Sequence, residues 1–189
     1  MKNRQDPAEL LQYSGEHLRY EIIALWQTAN AVPKYAKGTI EHFALLESFA
    51  THLRNLIEFL FHPSSREYVR ALHFFDDPAQ WKRTYTAEWK NLYDRACNEV
   101  NHLTKGRDDR DPASRVWNLS EILRQIEPLL RDFATKASTK RLHPRVRELF
   151  EQQPDATAPT ALVALANVTA STATPTTPYV IVLDQLWRK

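Results

Sequence analysis

Two stretches of the chain gather residues suited to handling a phosphate. Thr39 to Phe61, TIEHFALLESFATHLRNLIEFLF, carries Glu47, Arg54, Asn55 and Glu58. Thr86 to Arg107, TAEWKNLYDRACNEVNHLTKGR, carries Arg95, His102, Thr104 and Arg107. A histidine titrates near neutrality and, beside arginines, suits acid–base work on a phosphodiester. Arginine grips phosphate bidentately and stabilises developing negative charge. At about 100° per helical residue, Glu47, Thr51, Arg54 and Glu58 fall on one narrow polar strip bordering an apolar face. If that strip meets the polar end of the second stretch, the two enclose a pocket. His102 and Arg54 are then the acid–base and phosphate-holding groups with Arg107. Asn55, Arg95 and Thr104 are expected to contact substrate, with Glu47 and Glu58 orienting Arg54.

The same residues also admit a plainer reading. Arg54 and Glu58 are four apart, and such a pair on an exposed helix contributes only about 0.2–0.5 kcal/mol. On a packed helix the charges must satisfy one another, so Glu47, Arg54 and Glu58 would form an internal brace. Cys97 borders an apolar stripe and reads as core. No HExxH-like spacing or convergent His/carboxylate set points to a metal, and neither GxxxxGK[ST] nor GxGxxG occurs, so no cofactor is expected. In WKRTYTAEWK, Trp81 to Lys90, aromatic and basic residues alternate in a way that suits either base stacking or amphipathic packing.

The elements that must position these groups read as helices. Asp6-Pro7 opens the first, with Leu10, Leu11, Leu18, Ile22, Leu25, Trp26 and Ala29 recurring near a period of 3.6. Thr39 caps the second, and Pro63 marks where it must stop. Within it Phe43, Leu46, Phe49, Ala50, Leu53, Leu56, Ile57 and Leu60 cover more than half the circumference, which predicts a helix surrounded by others. Asp77-Pro78 repeats the cap signature, and Thr86 begins a long helix with Trp89, Leu92, Tyr93, Ala96, Val100 and Leu103 on one stripe. Asp111-Pro112 opens another, through Val116, Leu119, Ile122, Ile126, Leu130 and Phe133, which Pro128 should kink. A short amphipathic piece follows at Pro144 to Phe150.

Length and composition agree with this. The chain has 189 residues, enough for one domain with a sizeable core, and only three glycines, a shortage that favours helices over sheets. The formal net charge of +2 gives no whole-chain pull towards nucleic acid, so any basic surface must be local. A single cysteine, no apolar leader after Met1 and no membrane-length apolar run point to a cytoplasmic protein. The expected organisation is a compact all-α bundle of four to six helices over residues 1–150. An Ala/Thr/Pro-rich, flexible tail is expected over 151–189, ending in the apolar YVIVLDQLWRK.

Two resemblances bear on function. ExFxxHxRNLxEF from Glu47 to Phe59, followed by FFDDPAQW and HLTKGR, is similar to a family of small, uncharacterised bacterial helical proteins. Their pattern often has Asp where Glu58 stands, and the match spans Thr39 to Leu130. The helical layout also resembles the HEPN superfamily, four- or five-helix domains that often dimerise and often cleave RNA through an R-x4–6-H motif. Arg95 to His102 fits that spacing, with Ala96 where the motif prefers Asn, Asp or His. Arg66 to His73 fits as well, and Arg54-Asn55 has the preferred dipeptide with His62 one residue too far. The resemblance implies a homodimer acting on RNA or a nucleotide, as a metal-independent ribonuclease. The alternative is a non-catalytic helical module that binds a protein partner or a small ligand.

Overall fold

The computed structural model describes residues 6–61, 68–101 and 117–151, and all regular elements among them are helical. Asp6 caps α1 (Pro7–Tyr13) by accepting a hydrogen bond from the Ala8 amide at 2.9 Å, with Pro7 at the first helical position. A π-helical segment, Ser14–Leu18, joins α1 to α2 (Arg19–Ala31) without a break. The insertion leaves no trace in the hydrophobic period. The segment packs closely against residue 143 and the helix after it: a Cβ on Gly15 would stand 2.8 Å from the His143 ring.

Thr39 caps α3 (Ile40–Phe61), its hydroxyl accepting from the His42 amide at 3.3 Å. The connection before it turns the chain back, and α2 with α3 forms the principal helix pair. From Phe49 onward α3 is nearly enveloped: Phe49, Ala50, Leu53, Leu56, Ile57 and Leu60 are buried. The expectation fails over the first two turns, where Ile40 is 76% and Phe43 49% exposed. There α3 runs beyond the neighbours that cover its remainder.

Short 3-10 turns at Ala71–Phe74 and Pro78–Gln80 follow, the second capped by Asp77 accepting from the Ala79 amide at 2.9 Å. Thr86 caps α4 (Ala87–Arg95), which continues as a π-helical segment, Ala96–Asn101, packed along α3. The next helix, α5 (Leu119–Lys136), starts at Asn118, whose side chain accepts from the Glu121 amide at 3.1 Å. Trp117 and Asn118 are not helical, so α5 does not run unbroken from Pro112. It does run through Pro128. The last of the described elements is α6 (Pro144–Glu151).

An aromatic knot forms the centre. Phe133 of α5 meets Phe59 at 5.1 Å, Phe74 at 5.6 Å, Trp81 at 5.7 Å and Phe75 at 6.1 Å between ring centroids, all steeply inclined. Trp81 is buried, lies on Phe75, and donates its indole N–H to the Leu60 carbonyl at 2.9 Å. Base stacking is therefore not open to Trp81; its alternation with basic residues reflects packing. The first and last of the described helical stretches are joined directly. The buried Ser14 hydroxyl accepts from the His143 amide at 3.0 Å, and Trp26 meets Phe150 at 5.5 Å. The corner between α5 and α6 holds the Ala71–Phe74 turn: the Ser138 amide donates to the Phe74 carbonyl at 2.8 Å, and Arg141 to the His73 carbonyl at 2.9 Å.

Candidate functional site: an arginine-lined cleft beside α3

The polar strip of α3 does not close on itself. Arg54 and Glu58 sit one turn apart, yet among the described residues no carboxylate lies within ion-pair distance of the Arg54 guanidinium. Glu47 is exposed, about two turns earlier and about 10 Å along the axis, too far to orient Arg54. Glu58 accepts from the Tyr93 hydroxyl at 2.6 Å, which ties α3 to α4. Burial, and then this bond, raises the Tyr93 pKa far above that of a free phenol. The expected brace of Glu47 and Glu58 around Arg54 is thus absent, because Glu47 lies too far along the helix and Glu58 is held by Tyr93.

What the strip does border is a cavity of about 210 Å³ between α3, the α1–α2 helix and the chain at Tyr68 to Arg70. Arg54, Asn55 and Glu58 line it from α3, Tyr13 and Glu21 from the first helix, Tyr68 and Arg70 from the segment before the 3-10 turn. The two carboxylates among its described lining residues, Glu21 and Glu58, are engaged. Glu21 accepts from the Asn55 amide at 3.2 Å and lies 2.7 Å from His52 Nδ1, so that Nδ1 carries the proton. His52 is itself buried, with Tyr20 edge-on at 5.3 Å.

The two arginines among the described lining residues, Arg54 and Arg70, are not engaged in that way. The Nε atoms of Arg54 and Arg70 are both buried and neither has a hydrogen-bond acceptor. Arg70 is flanked by His73, whose Nδ1 accepts the Arg70 backbone N–H at 3.2 Å. The second ring nitrogen therefore carries the proton and faces Arg70 Nη2 at 3.5 Å, donor to donor. Burial first, then the charges of Arg70 and Arg141, hold the His73 pKa below its usual value. A protonated His73 would place a third cation in this corner.

An unpartnered buried N–H costs about 1–3 kcal/mol, more when it belongs to a charged group. Two guanidinium side chains lining one cavity suit an incoming oxyanion, which arginine holds in a forked, charge-assisted geometry. Among the described residues no cluster of three or more His, Cys, Asp or Glu side chains could hold a metal ion. None of their helices is long and apolar enough to cross a membrane.

Of the residues singled out from the sequence, Arg54, Asn55 and Glu58 come together on this cavity, and Glu47 does not. Arg95 is turned away: its guanidinium lies over the Trp117 ring at 4.3 Å, and Trp117 in turn meets Phe49. His102, Thr104 and Arg107 lie outside the described residues, as do His62, Arg66 and the tail. Sequence reasoning missed Glu21, Arg70, Tyr13 and Tyr68. Glu21 sits on the polar face of an unremarkable amphipathic helix, and Arg70 and Tyr68 sit in a stretch without periodicity. Only the position of His73 in a loose R-x4–6-H spacing drew attention nearby, and its role is to flank Arg70. Compared with known protein families, with curated proteins and with solved structures, the chain matches none.

Proposed function

We propose that this chain is a helical domain that binds RNA or a nucleotide through a phosphate seated between Arg54 and Arg70. The observation that carries the reading is that Arg54 and Arg70 line one cavity with no carboxylate within ion-pair distance of either among the described residues. Asn55 and Glu21 hold one wall rigid, because the Asn55 amide and His52 converge on the same carboxylate oxygen. Binding of adenosine monophosphate and of a short labelled RNA to the purified protein in EDTA tests it. Hydrogen bonds to charged groups contribute about 1.5–3 kcal/mol, so Arg54→Ala should weaken binding about 10- to 100-fold. Unchanged affinity in both Arg54→Ala and Arg70→Ala would reject the proposal.

Cleavage is a second reading, and one observation favours it. The π-helical extension of α4 packs along α3 and ends at Asn101, one residue before His102. In a HEPN-like, metal-independent ribonuclease His102 would move the proton while Arg54 and Arg107 stabilise the charged phosphate. Such a site yields a 2′,3′-cyclic phosphate product in the presence of EDTA. Product analysis with His102→Ala checks this; a protein that binds RNA and leaves it intact is the binding module instead.

A further inference from the structure

The first cavity is small. Sites that enclose a drug-sized ligand measure about 300–1,000 Å³, and about 210 Å³ leaves room for a phosphate and little more. The remainder of any nucleotide must lie across the rim, and the rim carries suitable surfaces. Tyr68 is 54% and Tyr13 37% exposed, both on the same cavity as the two arginines.

A second cavity, of about 350 Å³, adjoins the first, because Phe59 and Arg70 line both. Its charged lining is cationic, Arg70, Lys82 and Arg83 beside the neutral Thr84, with no carboxylate among the described residues of its wall. Arg83 is partly committed, stacked on Trp81 at 4.8 Å and paired with Asp132. Lys82 is exposed, with no carboxylate within ion-pair distance among the described residues. Arg70 thus stands between two cavities and belongs to each.

We infer that the two cavities are successive phosphate subsites for one single-stranded RNA, with Arg70 shared between them and Tyr68 and Tyr13 as ledges for its bases. Proteins that follow a single strand combine a cationic groove with aromatic faces on which bases stack, and this is that combination. The inference rests on the phosphate reading of the first cavity and extends it: the ligand is a strand, not a mononucleotide. It also gives a chain of small net charge a local basic track, which is where the affinity of a polyanion would come from.

Fluorescence anisotropy with a labelled hexauridylate, and competition by uridine monophosphate, separates the levels. The hexamer should bind at least about 10-fold tighter than the monophosphate. Lys82→Glu, at an exposed position, should weaken the hexamer by about 10-fold and the monophosphate by less than about 2-fold, whereas Arg70→Ala weakens both. Tyr68→Ala should cost the hexamer about 5-fold or more. Equal affinity for the two ligands, or a hexamer indifferent to Lys82→Glu and to Lys82→Gln, overturns the strand inference and leaves the phosphate site standing. Binding of neither ligand, or binding indifferent to Arg54→Ala and Arg70→Ala, overturns both.

Discussion

Replacing Arg54 by methionine distinguishes a ligand-holding arginine from a structural strut. Arg54 is half-buried on α3, its Nε enclosed without an acceptor, and no carboxylate pairs with it among the described residues. Methionine keeps most of the aliphatic stem, which packs, and deletes the unpaired N–H and the charge. Leaving a buried donor unsatisfied costs about 1–3 kcal/mol, so its removal should leave stability unchanged or raise it by about 1 kcal/mol. For a chain of this size 1 kcal/mol moves Tm by about 2–4 °C. Thermal melting followed by circular dichroism, with urea unfolding as a second measure, reads this directly. Phosphate or RNA affinity, measured on the same protein, should fall about 10- to 100-fold. A loss of more than about 1 kcal/mol would refute the reasoning, since it would mean that Arg54 holds the bundle together as the brace read from the sequence does.

Three further outcomes follow from the packing and the charges. Phe133→Ala empties the aromatic knot and should cost about 3–5 kcal/mol in urea unfolding; a loss below about 1 kcal/mol would show that the knot collapses without penalty. Gly15→Ala drives a methyl to 2.8 Å from the His143 ring and should destabilise by about 1–3 kcal/mol, and His143→Ala in the same chain should restore part of that. His73 has a folded pKa below its unfolded value of 6.5. The unfolded chain therefore takes up the proton first, so its contribution is complete above about pH 6.5 and is lost as pH falls from there towards the folded value. Urea midpoints between pH 5 and 8 should show a fall on the acid side that is shallower in His73→Gln.

The helices were legible because their signals are local. Asp6, Thr39, Asp77 and Thr86 each cap the element they announce, and the period of 3.6 names the buried face of α3 from Phe49 to Leu60. Phe43 misled because periodicity reports which face is apolar, not how far the neighbours extend to cover it. The site was half legible. Arg54, Asn55 and Glu58 stand out as polar groups on a mostly apolar helix, whereas Arg70 comes from a stretch whose only order is tertiary. Glu21 was invisible for another reason: an acidic residue on a helix flank looks like any solvated carboxylate until His52 and Asn55 are seen to share it. Glu58 looked like a partner for Arg54 through i,i+4 spacing, but the Tyr93 hydroxyl, a long-range partner, took it.

The link between Ser14 and His143 spans 129 positions, and the same hydroxyl lies 3.5 Å from the Arg141 carbonyl. During synthesis, then, the first described helix waits for α6. Until α6 has left the ribosome, Trp26 lacks the ring that covers it and the π turn lacks the amide that meets its serine. Closure over so long a loop is slow compared with forming the helices themselves. A chain released at residue 143 should be digested by trypsin within α1 and α2, while one that runs to residue 151 resists there. Equal resistance would mean that α1 and α2 are protected without α6.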